Sequence, residues 1–287
     1  MGKLYQEYHT HGPTADDSSW RSTVPSLFRA IREVAFGYPP TTSLITRMLA
    51  SLLACISPLR DLGGATVLWL RYRPIGGRLL DVGCGAGTLL QELSAHGWEV
   101  VGIDADPKAA ARAAEGSRFP IRCSPLADGL FEPQSFDAIT LNHVLEHLAD
   151  PVVALRICGR YLKAGGMLVI LTPNLNSLSR GFFGRYWRGW ETPRHLTLFS
   201  KKSLRECAVR AGLVPTALWT TARYAPNLWS SSWRLRRCSD SVAEGRGGGG
   251  LWMRAAALLF GVFEHALNLF TGCGEEVALV ATRRVDS

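Results

Sequence analysis

The seven cysteines of this 287-residue chain include no C-x-x-C pair. They stand at 55, 84, 123, 158, 207, 238 and 273. An odd, unpatterned set fits neither a disulfide framework nor a zinc ribbon and points to a reducing compartment. No uninterrupted apolar run has the length that spans a bilayer. No long internal repeat recurs, which sets solenoids and propellers aside. The opening MGKLYQEYHTHGPTADDSS is polar and has no leader core, and Gln6 stands where a myristoylation pattern requires Ser or Thr. These absences predict a cytosolic protein. Disorder of the whole chain is excluded by its 47% hydrophobic content.

Acidic residues are scarce, at 24 against 32 basic, for a net charge of +8. A positive balance first suggests nucleic acid or an anionic membrane, but its distribution argues otherwise. Residues 80–177 carry 7 basic and 11 acidic groups, whereas residues 178–237 carry 12 and 2. The excess is a C-terminal feature, and the centre is acidic.

Residues 1–25 read as a flexible arm. Residues 42–57 place Leu44, Ile45, Met48, Leu49, Leu52, Leu53 and Ile56 at helical spacing, an amphipathic helix interrupted by Arg47. From 78 onward strand and helix patterns alternate. RLLDVG, EVVGID, FPIRCS, FDAITLN, MLVILTPN and VPTALWTT read as strands, with helices between them, including one continuing from His143. EEVALVATRR closes the chain as a last strand. This alternation predicts a doubly wound α/β sheet. Between the last two strands lies an insertion with Arg234, Arg236, Arg237, a GRGGGG tract and the apolar stretch 251–270. There Leu259, Val262, Phe263 and Phe270 share a wide face, and Glu264, His265 and Asn268 fall elsewhere. The expected organisation is an arm and helical cap over 1–75, a core over 76–224, a basic, Gly-rich linker with an amphipathic helix over 225–272, and a last core strand over 273–287.

The chemistry concentrates at residues 79–87, Leu-Leu-Asp-Val-Gly-Cys-Gly-Ala-Gly. A strand running into glycines that open a helix lets a ligand approach the backbone. Asp81 precedes the turn, and Asp104 ends the next strand, 21 residues after Gly83, where a carboxylate can accept both hydroxyls of a ribose. A dinucleotide fingerprint requires a sixth-position glycine, but Thr88 stands there. An aspartate before the turn also suits a cationic ligand better than a pyrophosphate.

RLLDVGCGAGTLLQEL, VVGIDADP, FDAITLNHVLEHLADP and LKAGGMLVILTPN closely resemble the motifs of class I S-adenosylmethionine-dependent methyltransferases across roughly residues 78–220. Together with ETPRHLTLFSKKSL, NHVLEHLADP is most similar to the ubiquinone-biosynthesis O-methyltransferase type. The resemblance implies a Rossmann-like, seven-stranded, mostly parallel sheet whose last strand is antiparallel beside the fifth. It implies S-adenosyl-L-methionine as cofactor. Gly83, Cys84, Gly85 and Gly87 would line its methionine and ribose, Asp81 would hold its amino group, Asp104 its ribose hydroxyls, and Ala105 would pack by the adenine. Asn142 would face methyl group and acceptor. The family's usual acid after strand three is replaced by Arg122-Cys123-Ser124-Pro125, so Ser124 or a backbone group would meet the adenine.

His195, in WETPRH after strand five, is the candidate general base, because an imidazole suits proton removal near neutrality. A histidine that merely fastens the loop is the alternative. His143-Val-Leu-Glu146-His147 fits an inverted zinc-protease signature, but its place after the fourth strand favours a structural or substrate-positioning role. No residue is assigned to a metal. The arginine- and aromatic-rich loop 180–194 suits a lid over an aromatic or anionic acceptor, or a core beneath a basic face. Base modification would call for a [DNS]-P-P-aromatic element, where this chain has Asn142-His143-Val144-Leu145, so nucleic acid ranks low. The expected acceptor is a hydroxyl on a small, lipid-like or glycan molecule. The helices at 42–57 and 251–270 would cap the site or contact a membrane peripherally. A non-catalytic cofactor-binding module is the alternative from a different class.

Overall fold

In the computed structural model, residues 26–73, 76–115, 117–240 and 251–284 are described. The expected N-terminal arm and the GRGGGG tract lie outside them. Seven strands pair into one sheet: β1 (Arg78–Val82), β2 (Glu99–Asp104), β3 (Ile121–Cys123), β4 (Phe136–Asn142), β5 (Leu162–Pro173), β6 (Leu213–Thr221) and β7 (Glu276–Arg283). Their order is β3-β2-β1-β4-β5-β7-β6. β1 to β5 pair in parallel, and β7 runs antiparallel between β5 and β6. The class read from the motifs is therefore the fold observed.

Strand periodicity divides the core between the two faces. Leu80, Val82, Ile139, Leu141 and Leu168 pack with Leu155, Cys158 and Leu204, from α6 (Pro151–Tyr161) and α8 (Lys201–Arg210). Leu79, Ala138, Val169 and Leu171 face the other way, onto Leu90 and Leu93 of α4 (Thr88–Ala95) and onto Phe36 and Trp69. Local chemistry fixes helix starts. Asp106 caps α5 (Pro107–Ala114) by accepting from the Lys108 N–H, and Asp150 caps α6 by accepting from the Val153 N–H, each before a proline at N1.

Two segments differ from expectation, and a third takes one of the two orientations left open. His143 does not open a helix. It has φ +55°, a single 3₁₀ turn follows at Leu145–His147, and α6 waits for Asp150-Pro151. The α region is disfavoured just before a proline. Residues 225–240 are not a linker but α9 (Ala225–Asp240), because Trp229 and Trp233, one helical turn apart, pack with Phe183 and Phe260. The third is α10 (Leu251–Thr271), which turns polar residues inward. Glu264 is fully buried, while Leu259, Val262, Phe263 and Phe270 are exposed.

The N-terminal helices are α1 (Ser26–Phe36), α2 (Leu44–Leu53) and α3 (Ser57–Ala65). α2 and α3 pack on α1, and α10 touches α3. Of α2 only Ala50 is buried, and Leu44, Ile45, Met48, Leu49 and Leu52 face outward.

Candidate active site

The crevice opens where the strand order reverses beside β1, at the C-terminal ends of β1, β2 and β4. Gly83, Gly85 and Gly87 have φ of +68°, +54° and +73°. This left-handed backbone favours glycine. At Gly83 a Cβ would also lie 2.4 Å from Val144 Cγ2. Asp104 ties the turn down: its Oδ2 accepts from the Gly85 N–H and its Oδ1 from the Asp106 N–H, both at 2.8 Å. Two ionised oxygens have about four acceptor positions, so lone pairs remain for a ligand.

Asp81 is buried, and its Oδ1 accepts from the Thr140 hydroxyl at 2.6 Å. Burial pushes its carboxyl up to about 7, helped by the charge of Asp104 and opposed by the Thr140 hydrogen bond. Burial also pushes the Cys84 thiol well up, so it packs rather than reacts. Ala105 is exposed next to Asp104. The Ser124 hydroxyl donates to the Pro125 carbonyl, and its N–H donates to the Asp104 carbonyl. Asp81, the glycine turn, Asp104, Ala105 and Ser124 thus line the ends of three adjacent strands.

A second cluster lies beyond β4. The Asn142 Oδ1 accepts from Arg223 Nη2 at 3.3 Å, and Arg223 Nε donates to Glu276 Oε2 at 2.9 Å. The His143 ring bridges two buried carboxylates, with Nε2 2.6 Å from Glu276 Oε1 and Nδ1 3.2 Å from Glu146 Oε1. Burial alone would lower the imidazole, but hydrogen bonds to Glu146 and Glu276 raise it to about 10. Both glutamates are held below the usual carboxylate range despite their burial, Glu276 chiefly by Arg223 and Glu146 by His143. His143 is therefore a locked imidazolium, with about a third of its side chain exposed.

His195 lies behind this cluster. Its side chain is 5% exposed, its Nδ1 donates to the Gly189 carbonyl at 2.7 Å, and its ring is 4.8 Å from that of His147. Burial lowers its pKa, opposed by the charge of Glu146. The His147 Nδ1 likewise donates to a backbone carbonyl, that of Arg194. Glu146, His147 and His195 each bring one ligand atom within 4.8 Å of the others, so this trio can hold a metal ion. His143 and His147 of the H-x-x-E-H signature do not converge, because His143 is spent on the two glutamates.

A family model for the methyltransferase domain matches residues 48–218. The chain belongs to that family. A ubiquinone biosynthesis O-methyltransferase from Xanthomonas axonopodis pv. citri is 37% identical over 110 residues, 36% of this chain and 46% of that relative. One from Pseudomonas putida is 36% identical over 129 residues, 42% of this chain and 55% of that relative. The chain thus spans about half the length of the curated relatives it matches. Among solved structures, geranyl diphosphate C-methyltransferase from Streptomyces coelicolor aligns with a TM-score of 0.52 at 18% identity, covering 87% of each chain. A SAM-dependent methyltransferase from Archaeoglobus fulgidus aligns with a TM-score of 0.50 at 18% identity, covering 87% of this chain and 97% of that one. These likenesses concern the fold.

In this chain the motif residues gather at one edge, as described, while two partners escaped sequence reading. Arg223 follows β6 and Glu276 opens β7, 81 and 134 residues from Asn142. Nothing local marks them. Only the insertion of β7 beside β5 carries Glu276 to His143.

Proposed function

We propose that the chain is an S-adenosylmethionine-dependent O-methyltransferase acting on a hydroxyl of a small, lipid-like acceptor. The supporting observation is the pair Asp81 and Asp104 on adjacent strands around a glycine turn. The donor set fits the cofactor: a buried carboxylate for its ammonium, and Asp104 with free acceptor positions for its ribose. Gly83, Cys84, Gly85 and Gly87 would line it, with Ala105 and Ser124 on the adenine side. The cofactor would supply an electrophilic methyl group, and Asn142, at the end of β4, would face it and the acceptor.

The chain's own residues then orient the acceptor. Arg223 donates to the Asn142 Oδ1, and the amide N–H groups of Asn142 would donate to an acceptor oxygen. The clamp of His143, Glu146 and Glu276 fixes Arg223 in turn. Orientation of this kind carries much of a displacement barrier. His195, nearly closed off from solvent, bonds to the Gly189 carbonyl of its own loop and rests against the His147 ring, and is read as a positioning residue rather than as the base. The names of the relatives support hydroxyl as the acceptor. The test is transfer of a tritiated methyl group to catechol and phenol acceptors, with the product located by mass spectrometry. Label on oxygen supports the reading, and label on nitrogen or carbon acceptors alone refutes it.

A second reading concerns location. Among the described residues no helix is long and apolar enough to cross a membrane. The outward apolar faces of α2 and α10, with exposed Arg234, Arg236 and Arg237 on α9, suit peripheral contact with an anionic lipid surface.

A further inference from the structure

A cavity of about 420 Å³ lies between α7 (Leu178–Phe183), α9 and α10, a size common for small-ligand sites. Its lining is mainly apolar, with Phe182, Trp229, Phe260 and Phe263 beside Gly181 and Cys273 and the uncharged polar Asn176 and Ser177. Trp229 and Phe260 stack with ring centres 4.5 Å apart and planes 1° from parallel, and Phe182 leans on both. Among the described residues neither an acidic nor a basic side chain lines it. Trp229, Phe260, Phe263 and Cys273 all lie beyond the family match at 48–218.

The cavity is close to the reaction edge. Cys273 is three residues before Glu276, which holds His143. Three residues reach at most about 11 Å. Behind the wall, the Trp229 indole N–H donates to the buried Glu264 at 2.7 Å. Burial and the neighbouring Glu275 push the Glu264 carboxyl up to about 9, so it offers no charge to a cation at neutral pH.

We infer that this cavity receives the apolar arm of the acceptor and that Phe182, Trp229 and Phe260 set acceptor specificity. The inference rests on the O-methyltransferase reading above. An uncharged aromatic slot beside the reacting hydroxyl rewards each buried methylene with about a fourfold gain in affinity.

Rates are measured on the full chain with catechols carrying 4-alkyl groups of one, four and eight carbons. In parallel, iodoacetamide labelling of Cys273 is followed by mass spectrometry, without cofactor, with and without 4-octylphenol. We expect kcat/KM to rise at least tenfold with chain length and octylphenol to slow Cys273 labelling at least fivefold. In Gly181→Leu both effects vanish while S-adenosylmethionine affinity stays at the wild-type value. A Cβ at Gly181 meets nothing within 4 Å, so the new side chain fills the cavity rather than displacing its walls. Flat rates overturn the inference, with or without protection of Cys273, as does Gly181→Leu behaving like wild type. Protection of Cys273 with no transfer to any catechol refutes the O-methyltransferase reading and leaves the apolar subsite standing.

Discussion

On the proposed function, Asp81 holds the cofactor's ammonium, and its environment then sets a pH dependence. Its carboxyl titrates near 7 in the folded chain. Only the ionised carboxyl pairs with the protonated amine, and an α-amino group loses its proton at about pH 7.7–8.0, so affinity for S-adenosylmethionine should rise about fivefold from pH 6 to about pH 7.4 and fall again above about pH 8. Calorimetry across that range measures it, and Asp81→Asn should remove both the affinity and the slope. At the acceptor edge, His143→Gln should cut kcat about tenfold or more while leaving cofactor affinity unchanged, because it unlocks Glu276 and Arg223 from Asn142. A steady-state kcat and a cofactor titration separate these effects. The glycines and both aspartates were legible in the sequence because their spacing is local. His143 was visible only as part of a metal-like signature. Its partners Arg223 and Glu276 were invisible, because a contact across 133 residues leaves no local pattern.

The informative element is α10. Its sequence pattern left open whether the apolar face caps the site or meets a membrane; in the fold Glu264 and Asn268 face the core. Asn268 accepts from the Thr220 hydroxyl and the Gly274 N–H and donates to the Thr220 carbonyl. Periodicity locates a stripe but not what the stripe faces. Fully buried, Glu264 has its carboxyl raised above the unfolded value of 4.5 to about 9. Its stabilising contribution is therefore complete below pH 4.5 and declines as pH rises through about 9. Glu264→Gln should keep the Trp229 hydrogen bond and flatten that decline in chemical denaturation series at pH 6, 8 and 9.5. Trp229→Ala, which empties the centre of the α9–α10 aromatic cluster, should cost about 3–5 kcal/mol in the same assay.

At the scale of the molecule, charge and topology divide the work. The acidic centre, 80–177, carries the glycine turn and both aspartates, while the basic excess, 178–237, begins at the loop after β5. The sheet was legible because seven strand patterns alternate with helices. The aromatic cavity was not, since it needs α7, α9 and α10 brought together from separate parts of the chain. The exposed faces of α2 and α10 predict sedimentation with vesicles containing phosphatidylglycerol. Ile45→Glu with Phe270→Glu should reduce the bound fraction severalfold, and equal, negligible binding by both proteins would remove the membrane contact. The account as a whole depends on one cofactor. Calorimetric titration of the full chain with S-adenosylmethionine at pH 8 tests this most directly. Saturable one-site binding, lost in both Asp81→Asn and Asp104→Ala variants that remain folded, is the predicted result; wild type that shows no binding, or either variant binding like wild type, would contradict it.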